Sequence, residues 1–272
     1  MPSILITGAS SGIGAALAHA LATPATTLHL SGRDGTRLDV VAAACRAGGA
    51  TVEAVLLDVR DATAMAAWVK GAGQLDLVVA NAGISAGTGE AGVERPGQTR
   101  AIFATNVDGV FNTVLPAIEI MSAQPAAADG VRGRIAVVAS IAALIKTFAA
   151  PAYGASKAAV DAWAVASAPG LRRDGIVLTS VCPGYIQTPM TARNSFRMPG
   201  LMGADQAARI ILRGIAAGRI RVTFPWWMGL AARIGDLLPP GPVGGLLANR
   251  RLQSSAPERE TDPEPEPEGG EP

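Results

Sequence analysis

The chain has 272 residues, 49% of them apolar, and a formal net charge of +1, which fits one large α/β domain or two small ones. The small total hides a split: residues 254–272 hold seven acids and one base, so the remainder carries +7, too dilute and too free of basic runs to argue for nucleic acid. Two cysteines, Cys45 and Cys182, exclude a disulfide framework and read as reduced thiols of a cytoplasmic protein.

The chain runs from Met-Pro straight into SILIT (3–7), with no charged region followed by a long apolar one, so no secretion signal is expected. Nor does any uninterrupted apolar run reach membrane-spanning length. Strand and helix patterns then alternate. SILIT is followed by a helical GIGAALAHALA (12–22), a strand TLHLS (27–31) and a helix GTRLDVVAAACRA (35–47). Next come VEAVLLD (52–58), the helix 61–71, LDLVVA (75–80) and a long helical pattern over 99–121. RIAVVAS (134–140), the helix 153–167, IVLTSVC (176–182), the helix 204–217 and IRVTF (220–224) complete the body. Near-continuous apolar strands alternating with helices predict parallel strands covered on both faces, joined by right-handed crossovers into a doubly wound sheet. Ligands bind such sheets beyond the carboxyl ends of the strands.

Residues 225–253 form an apolar extension. A short helix there places Trp227, Leu230, Ile234 and Leu237/Leu238 on one stripe, interrupted by Arg233 and Asp236. It folds back on the body or lies between subunits; the alternative is peripheral membrane contact through Trp226 and Trp227, with Arg250 and Arg251 nearby. The Pro-Glu tail, 254–272, cannot build a core and is expected to be disordered.

The chemistry-bearing residues sit where strands end. TGASSGIG (7–14) joins the first strand to the first helix, with Gly8, Gly12 and Gly14 in a spacing that differs from GxGxxG. Its logic is a tight turn that brings pyrophosphate onto a helix N-terminus, with Ser10, Ser11 and Ile13 adding hydroxyl or backbone donors. After the second strand, where an acid would favour NAD, stand Gly32 and Arg33. A guanidinium there suits a 2′-phosphate and favours NADP, with Asp34 a complication and Arg37 an aid. Asp58 and Val59 follow the third strand, where an adenine edge would lie. Asn81, Ala82 and Gly83 follow the fourth, small enough for backbone to approach a ligand. Asn106 lies inside a helical pattern and needs a reason, such as bonding backbone or water. Ser140 ends the fifth strand. Tyr153 and Lys157 share a helix face four residues apart, and a lysine ammonium beside a phenol lowers its pKa, making the pair a candidate acid/base device. Pro183, Gly184, Ile186 and Thr188 follow the sixth strand. No cluster of His, Cys and acids suggests a metal, and Cys182 reads as a buried small hydrophobe.

With these motifs in this order, the chain resembles the short-chain dehydrogenase/reductase family of the classical type over about residues 1–224. The resemblance implies one Rossmann-like catalytic domain, a nicotinamide dinucleotide and a carbonyl or alcohol substrate. It implies that Tyr153 is the general acid/base and that Lys157 holds the nicotinamide ribose and lowers the tyrosine pKa. Ser140 would bond the substrate oxygen, and Asn106 would anchor a water in a proton relay. Pro183–Thr188 would contact the nicotinamide end, with Ile186 and Thr188 at the carboxamide. Two departures stand out. Ala80 takes the place of the first asparagine of NNAG, and Pro169-Gly170 is expected to break or kink a helix that in this family commonly lies at a subunit interface, which weakens an inherited homo-oligomer. A non-catalytic dinucleotide-binding regulator is the rival reading; a Ser140 nucleophile with Lys157 as base fits the dinucleotide loop poorly. Met190, Phe196, Met198, Leu201 and Met202 suggest an apolar lid and a hydrophobic substrate.

Overall fold

The computed structural model describes residues 1–89, 92–194 and 196–239. Seven parallel strands make one sheet in the order β3-β2-β1-β4-β5-β6-β7. They are β1 (Ser3–Ile6), β2 (Thr27–Gly32), β3 (Thr51–Leu56), β4 (Leu77–Ala80), β5 (Gly133–Val138), β6 (Ile176–Pro183) and β7 (Arg221–Phe224). The helices are α1 (Gly12–Leu21), α2 (Gly35–Ala47), α3 (Ala62–Gly71), α4 (Pro96–Phe103), α5 (Gly109–Ala123), α6 (Pro151–Arg173), α7 (Ala204–Ala216) and α8 (Trp226–Asp236). The doubly wound architecture read from the alternation is therefore present.

Strand side chains alternate between faces, and both faces of this sheet are covered. Ile4, Ile6, Leu28, Leu30, Val79 and Val181 pack under α1, α2 and α7 with Leu17, Leu38 and Ile211. Leu5, Val78, Ile135, Val137 and Leu178 pack on the other face under α3, α5 and α6 with Val69, Val114 and Val160. The strand order reverses between β1 and β4: β1 pairs in parallel with β2 on one side and with β4 on the other, both through Ile4–Ile6. The crevice at such a switch point is where doubly wound sheets hold ligands.

Three expectations change. First, Pro169-Gly170 does not break the helix: α6 runs unbroken for 23 residues. One lost N–H bond is outweighed by a face that buries Val160, Ala164 and Ala168 on the sheet, because helices in proteins are held chiefly by tertiary packing. Second, the pattern over 99–121 is α4 and α5 joined through a π-helical turn, Ala104–Asp108. The whole run, Pro96–Ala123, is long and apolar enough to cross a membrane by length and composition, although Arg100, Asp108 and Glu119 interrupt it; half of its most apolar window is buried, and α5 packs on α3 and the sheet as a core helix. Third, the large apolar stripe of α8 faces outward; Gly229 and Ala232 face the body instead. Arg250, Arg251 and the acidic tail 254–272 lie outside the described residues.

Candidate active site

The loop after β1 is shaped by what its glycines lack. Gly8 and Gly12 have φ of +64° and +57°, a region L-residues with a Cβ rarely adopt. A Cβ on Gly14 would lie 2.3 Å from the Gly8 carbonyl oxygen, and one on Gly8 would lie 2.8 Å from Ala82 Cα. The β4 loop closes onto this turn. Asn81 Nδ2 donates to the Thr7 and Gly8 carbonyls at 3.0 and 3.1 Å, while the Asn81 and Ala82 N–H groups donate to Thr7 Oγ1. Asn81 is thus the staple of the loop, and Thr7, which the sequence did not flag, is the post it fastens to. Ser11 precedes α1 without a side-chain cap, so the first-turn N–H groups at Gly12, Ile13 and Gly14 face outward as an anion-binding end. Ser10 stands against Gly32, whose Cβ would lie 3.2 Å from Ser10 Oγ. Thr188 closes the far side, its methyl 2.8 Å from a Cβ on Gly12. A cradle of bare backbone donors with no room for side chains fits a dinucleotide pyrophosphate.

At the next strands Leu57 N–H donates to Gly32 O at 3.0 Å, so Arg33 and Asp58 leave neighbouring strand ends. Arg33 is exposed. Arg60 grips Asp58 through Nε, Nη2 and its own backbone N–H. That grip, with Arg33's charge adding to it, holds the Asp58 carboxyl below its ordinary range against partial burial. Arg37 is drawn instead to Asp34 at 2.7 Å, where Asp34 also caps α2, so Arg37 is committed elsewhere. Val59 is a packing residue: its side chain fills the space left by Gly109 and its carbonyl accepts from Asn112 Nδ2 at 2.9 Å.

Asn106, Ser140, Tyr153 and Lys157 converge beyond β4 and β5. Ser140 Oγ accepts the Ala142 N–H at 3.1 Å, and its hydroxyl is near enough to the Tyr153 phenol to favour the phenolate. Lys157 is buried; its Nζ donates to the Val138 carbonyl at 2.8 Å and lies 5.9 Å from the Tyr153 ring centre. Asn106 is fully buried in the π-helical turn, a kind of irregularity often found at functional sites. Its Nδ2 donates to Ile84 O at 2.9 Å and Ser156 Oγ at 3.0 Å, and its Oδ1 accepts from Ile84 N at 2.8 Å. Gly83 makes this meeting possible, since a Cβ there would sit 3.2 Å from both Asn106 Oδ1 and Lys157 Nζ.

Burial pushes the Tyr153 phenol up from its ordinary value, and the Ser140 hydroxyl opposes that rise; the Lys157 ammonium is turned to Val138 O. Burial likewise lowers Lys157, to about 8. Cys182 is pushed up to about 12 by burial and by Asp161, so its thiol stays protonated and inert.

Pro183 ends β6, and the Gly184 N–H donates to Phe224 O at 2.7 Å. Ile186 is buried and pairs in a short parallel bridge with Met202, which ties the lid to the body. Its carbonyl accepts from Thr191 Oγ1, and Thr188 lies against the Gly12 turn of the cradle. In the lid, Phe196 meets Tyr185 edge to face at 5.8 Å, while Met190 and Leu201 stay exposed.

Two supporting residues carry no local sequence signal. Glu94 accepts the Ala152 N–H at 3.0 Å, capping α6 one residue before Tyr153 where the chain offers no side-chain cap of its own. Asp161, one turn beyond Lys157, accepts from Ser180 Oγ at 2.6 Å and from both Nε and Nη2 of Arg221. Together they fasten α6 at one end and in its middle.

Residues 2–198 match the short chain dehydrogenase family model. An uncharacterized oxidoreductase of Myxococcus xanthus is 35% identical over 250 residues, 90% of this chain and 96% of that one. A ketoacyl reductase of a Nostoc species is 32% identical over 208 residues, 74% of this chain and 69% of that one. A solved short-chain dehydrogenase from Sphingobium yanoikuyae, in complex with NADPH, is 27% identical, superposes with a TM-score of 0.75 and covers 95% of this chain and 100% of that one.

Proposed function

We propose, for a chain that belongs to the short-chain dehydrogenase family and is an oxidoreductase of carbonyl or alcohol groups using a nicotinamide dinucleotide, that it is an NADP(H)-dependent reductase of a hydrophobic ketone. The observation that carries this reading is the gathering of Ser140, Tyr153 and buried Lys157, whose Nζ lies 5.9 Å from the Tyr153 ring centre, beside a backbone cradle that fits a pyrophosphate. The cofactor, when bound, supplies the hydride. Tyr153, its phenol kept protonated by burial, gives the proton to the nascent alkoxide, and Ser140 donates to the same oxygen and polarises the carbonyl. Lys157 holds the ribose end, and the proton that Tyr153 gives up is returned to its phenol from solvent through the water that Asn106 anchors. Asn106 anchors the relay water through its main-chain carbonyl oxygen, because its side-chain amide is taken up by Ile84 and Ser156.

Exposed Arg33 is the group that favours NADP, as a cation with room for a 2′-phosphate. The lid's Met190 and Leu201, and the ketoacyl reductase among the relatives, favour a ketone on an acyl chain. The enzyme is cytoplasmic. The unbroken α6 removes the objection to a homo-oligomer built on that helix. NADPH and NADH consumption with a panel of hydrophobic ketones tests the reading: NADPH-dependent turnover of a panel member is expected, and NADH serving equally well would remove Arg33's role.

A further inference from the structure

A surface helix ordinarily buries its large apolar residues and exposes polar ones. Helix α8 does the reverse. Its small residues meet the body: a Cβ on Gly229 would lie 2.4 Å from Thr223 Cγ2, one on Gly235 3.1 Å from Ile145 Cδ1, and Ala232 is buried. At 100° per residue, Trp226, Trp227, Leu230, Ile234, Leu237 and Leu238 fall within one arc of about 120°. All six point outward, with exposures of 73, 44, 52, 56, 84 and 55%. A single exposed leucine means nothing; six large apolar residues on one arc, two of them adjacent tryptophans, mark a contact surface.

The charge around the arc says what covers it. Arg233 is exposed on its edge. The lid, Gly184–Gly203, contains Arg193 and Arg197 and no acid, and Arg197 is exposed. The lid sits on α8: a Cβ on Gly200 would lie 3.1 Å from Trp227 Cζ2, and one on Gly184 3.2 Å from Met228 Sδ. Asp236, the acid of α8, is neutralised by Lys146 at 2.6 Å. The result is an apolar arc with Arg233 on its edge, beside a lid that adds cations and no acid. A second copy of the chain would bring the same positive margin against this one, and like charges across an interface oppose pairing. A bilayer with anionic headgroups matches both parts, since tryptophans settle at the headgroup level and basic margins are drawn to anionic lipid.

We propose that α8 docks the protein on an anionic membrane surface, apolar arc inward, and that the substrate cleft is thereby presented to the bilayer. The second half rests on the proposed function: because the lid over the cleft rests on Trp227 and Met228, docking brings the cleft mouth to the lipid, and a water-insoluble carbonyl enters from there.

The test is co-sedimentation of the full chain with vesicles of phosphatidylcholine alone and of phosphatidylcholine mixed with phosphatidylglycerol. The wild-type chain should pellet with the mixed vesicles and far less with the neutral ones, and added salt should release it. W226S/W227S should lose about tenfold or more in partitioning at unchanged melting temperature, because binding scales with buried apolar area. R233Q should narrow the difference between the two vesicle types while keeping the fold. Equal pelleting of wild type and W226S/W227S, no pelleting with either vesicle, or a solution dimer that W226S/W227S dissociates would overturn the proposal. None of these readouts uses catalysis, so a chain that binds vesicles but reduces no ketone would refute the catalytic reading alone.

Discussion

Lys157 Nζ donates to the carbonyl oxygen of Val138 at 2.8 Å, and this bond fixes α6 against the end of β5. The ammonium is nearly excluded from water, and burial lowers its pKa from 10.5 to about 8. A base with a depressed folded pKa costs stability wherever the fold must carry its proton. That cost is full below about pH 8 and is relieved as pH rises towards the unfolded value. We expect wild type to gain on K157M by roughly 3 kcal/mol across that window, at about 1.4 kcal/mol per pKa unit. Denaturant melts of both proteins at several pH values check this; a difference that does not change with pH would contradict it.

Arg33 and Arg60 flank Asp58, and only Arg60 is bound to it. R33Q should cut the preference for NADPH over NADH by about tenfold to a hundredfold, the worth of a charge-assisted bond of roughly 1.5–3 kcal/mol. R60Q should weaken NADPH more than NADH as well, because it leaves Asp58 as a bare negative charge near the 2′-phosphate. Fluorescence titration of both cofactors measures each ratio, and unchanged ratios in both variants would remove this corner from cofactor selection.

Two glycines should respond oppositely to alanine. At Gly14 the new Cβ would meet Gly8 O at 2.3 Å, so G14A should cost about 1–3 kcal/mol through overpacking and abolish dinucleotide binding. At Gly170, inside α6, nothing lies within 4 Å of the new Cβ, and G170A should stabilise by about 0.5–1 kcal/mol. Thermal melts with and without NADPH distinguish the two.

Asp161 is buried, yet Arg221, Ser180 and Cys182 overcome that burial and hold its carboxyl below the ordinary value. Its stabilising contribution is present above the unfolded pKa and is lost as pH falls through the folded one. D161N leaves Arg221 without its partner and should cost about 3 kcal/mol, the lower end for a broken buried pair, since Arg221 is partly exposed. Chemical denaturation at neutral pH measures it; a loss well under 1 kcal/mol would show the pair to be incidental.

Much of this was readable in the sequence, for reasons of short range. Strand period, helix period and glycines at strand ends are local properties, and they place Gly8–Gly14, Asn81–Gly83, Ser140, Tyr153 and Lys157 around one crevice. What escaped depends on partners distant in the chain. Glu94 caps α6 across 58 residues, and Arg221 reaches Asp161 across 60. Pro169 reads locally as a helix stop, but the buried face of α6 overrides it. The stripe of α8 reads as a buried face because the pattern alone does not reveal that Gly229 makes the close fit to Thr223 and that Ala232 is the buried residue beside it.

The central claim is that Tyr153 delivers the proton. Tyr153→Phe removes one oxygen and leaves the ring, the cradle and Lys157 in place. The measurement is single-turnover reduction of an active ketone by Y153F beside a titration of NADPH binding. We predict binding within about twofold of wild type and a fall in rate of about a hundredfold to ten-thousandfold, the usual contribution of a positioned general acid. Turnover at the wild-type rate with binding intact would contradict the mechanism.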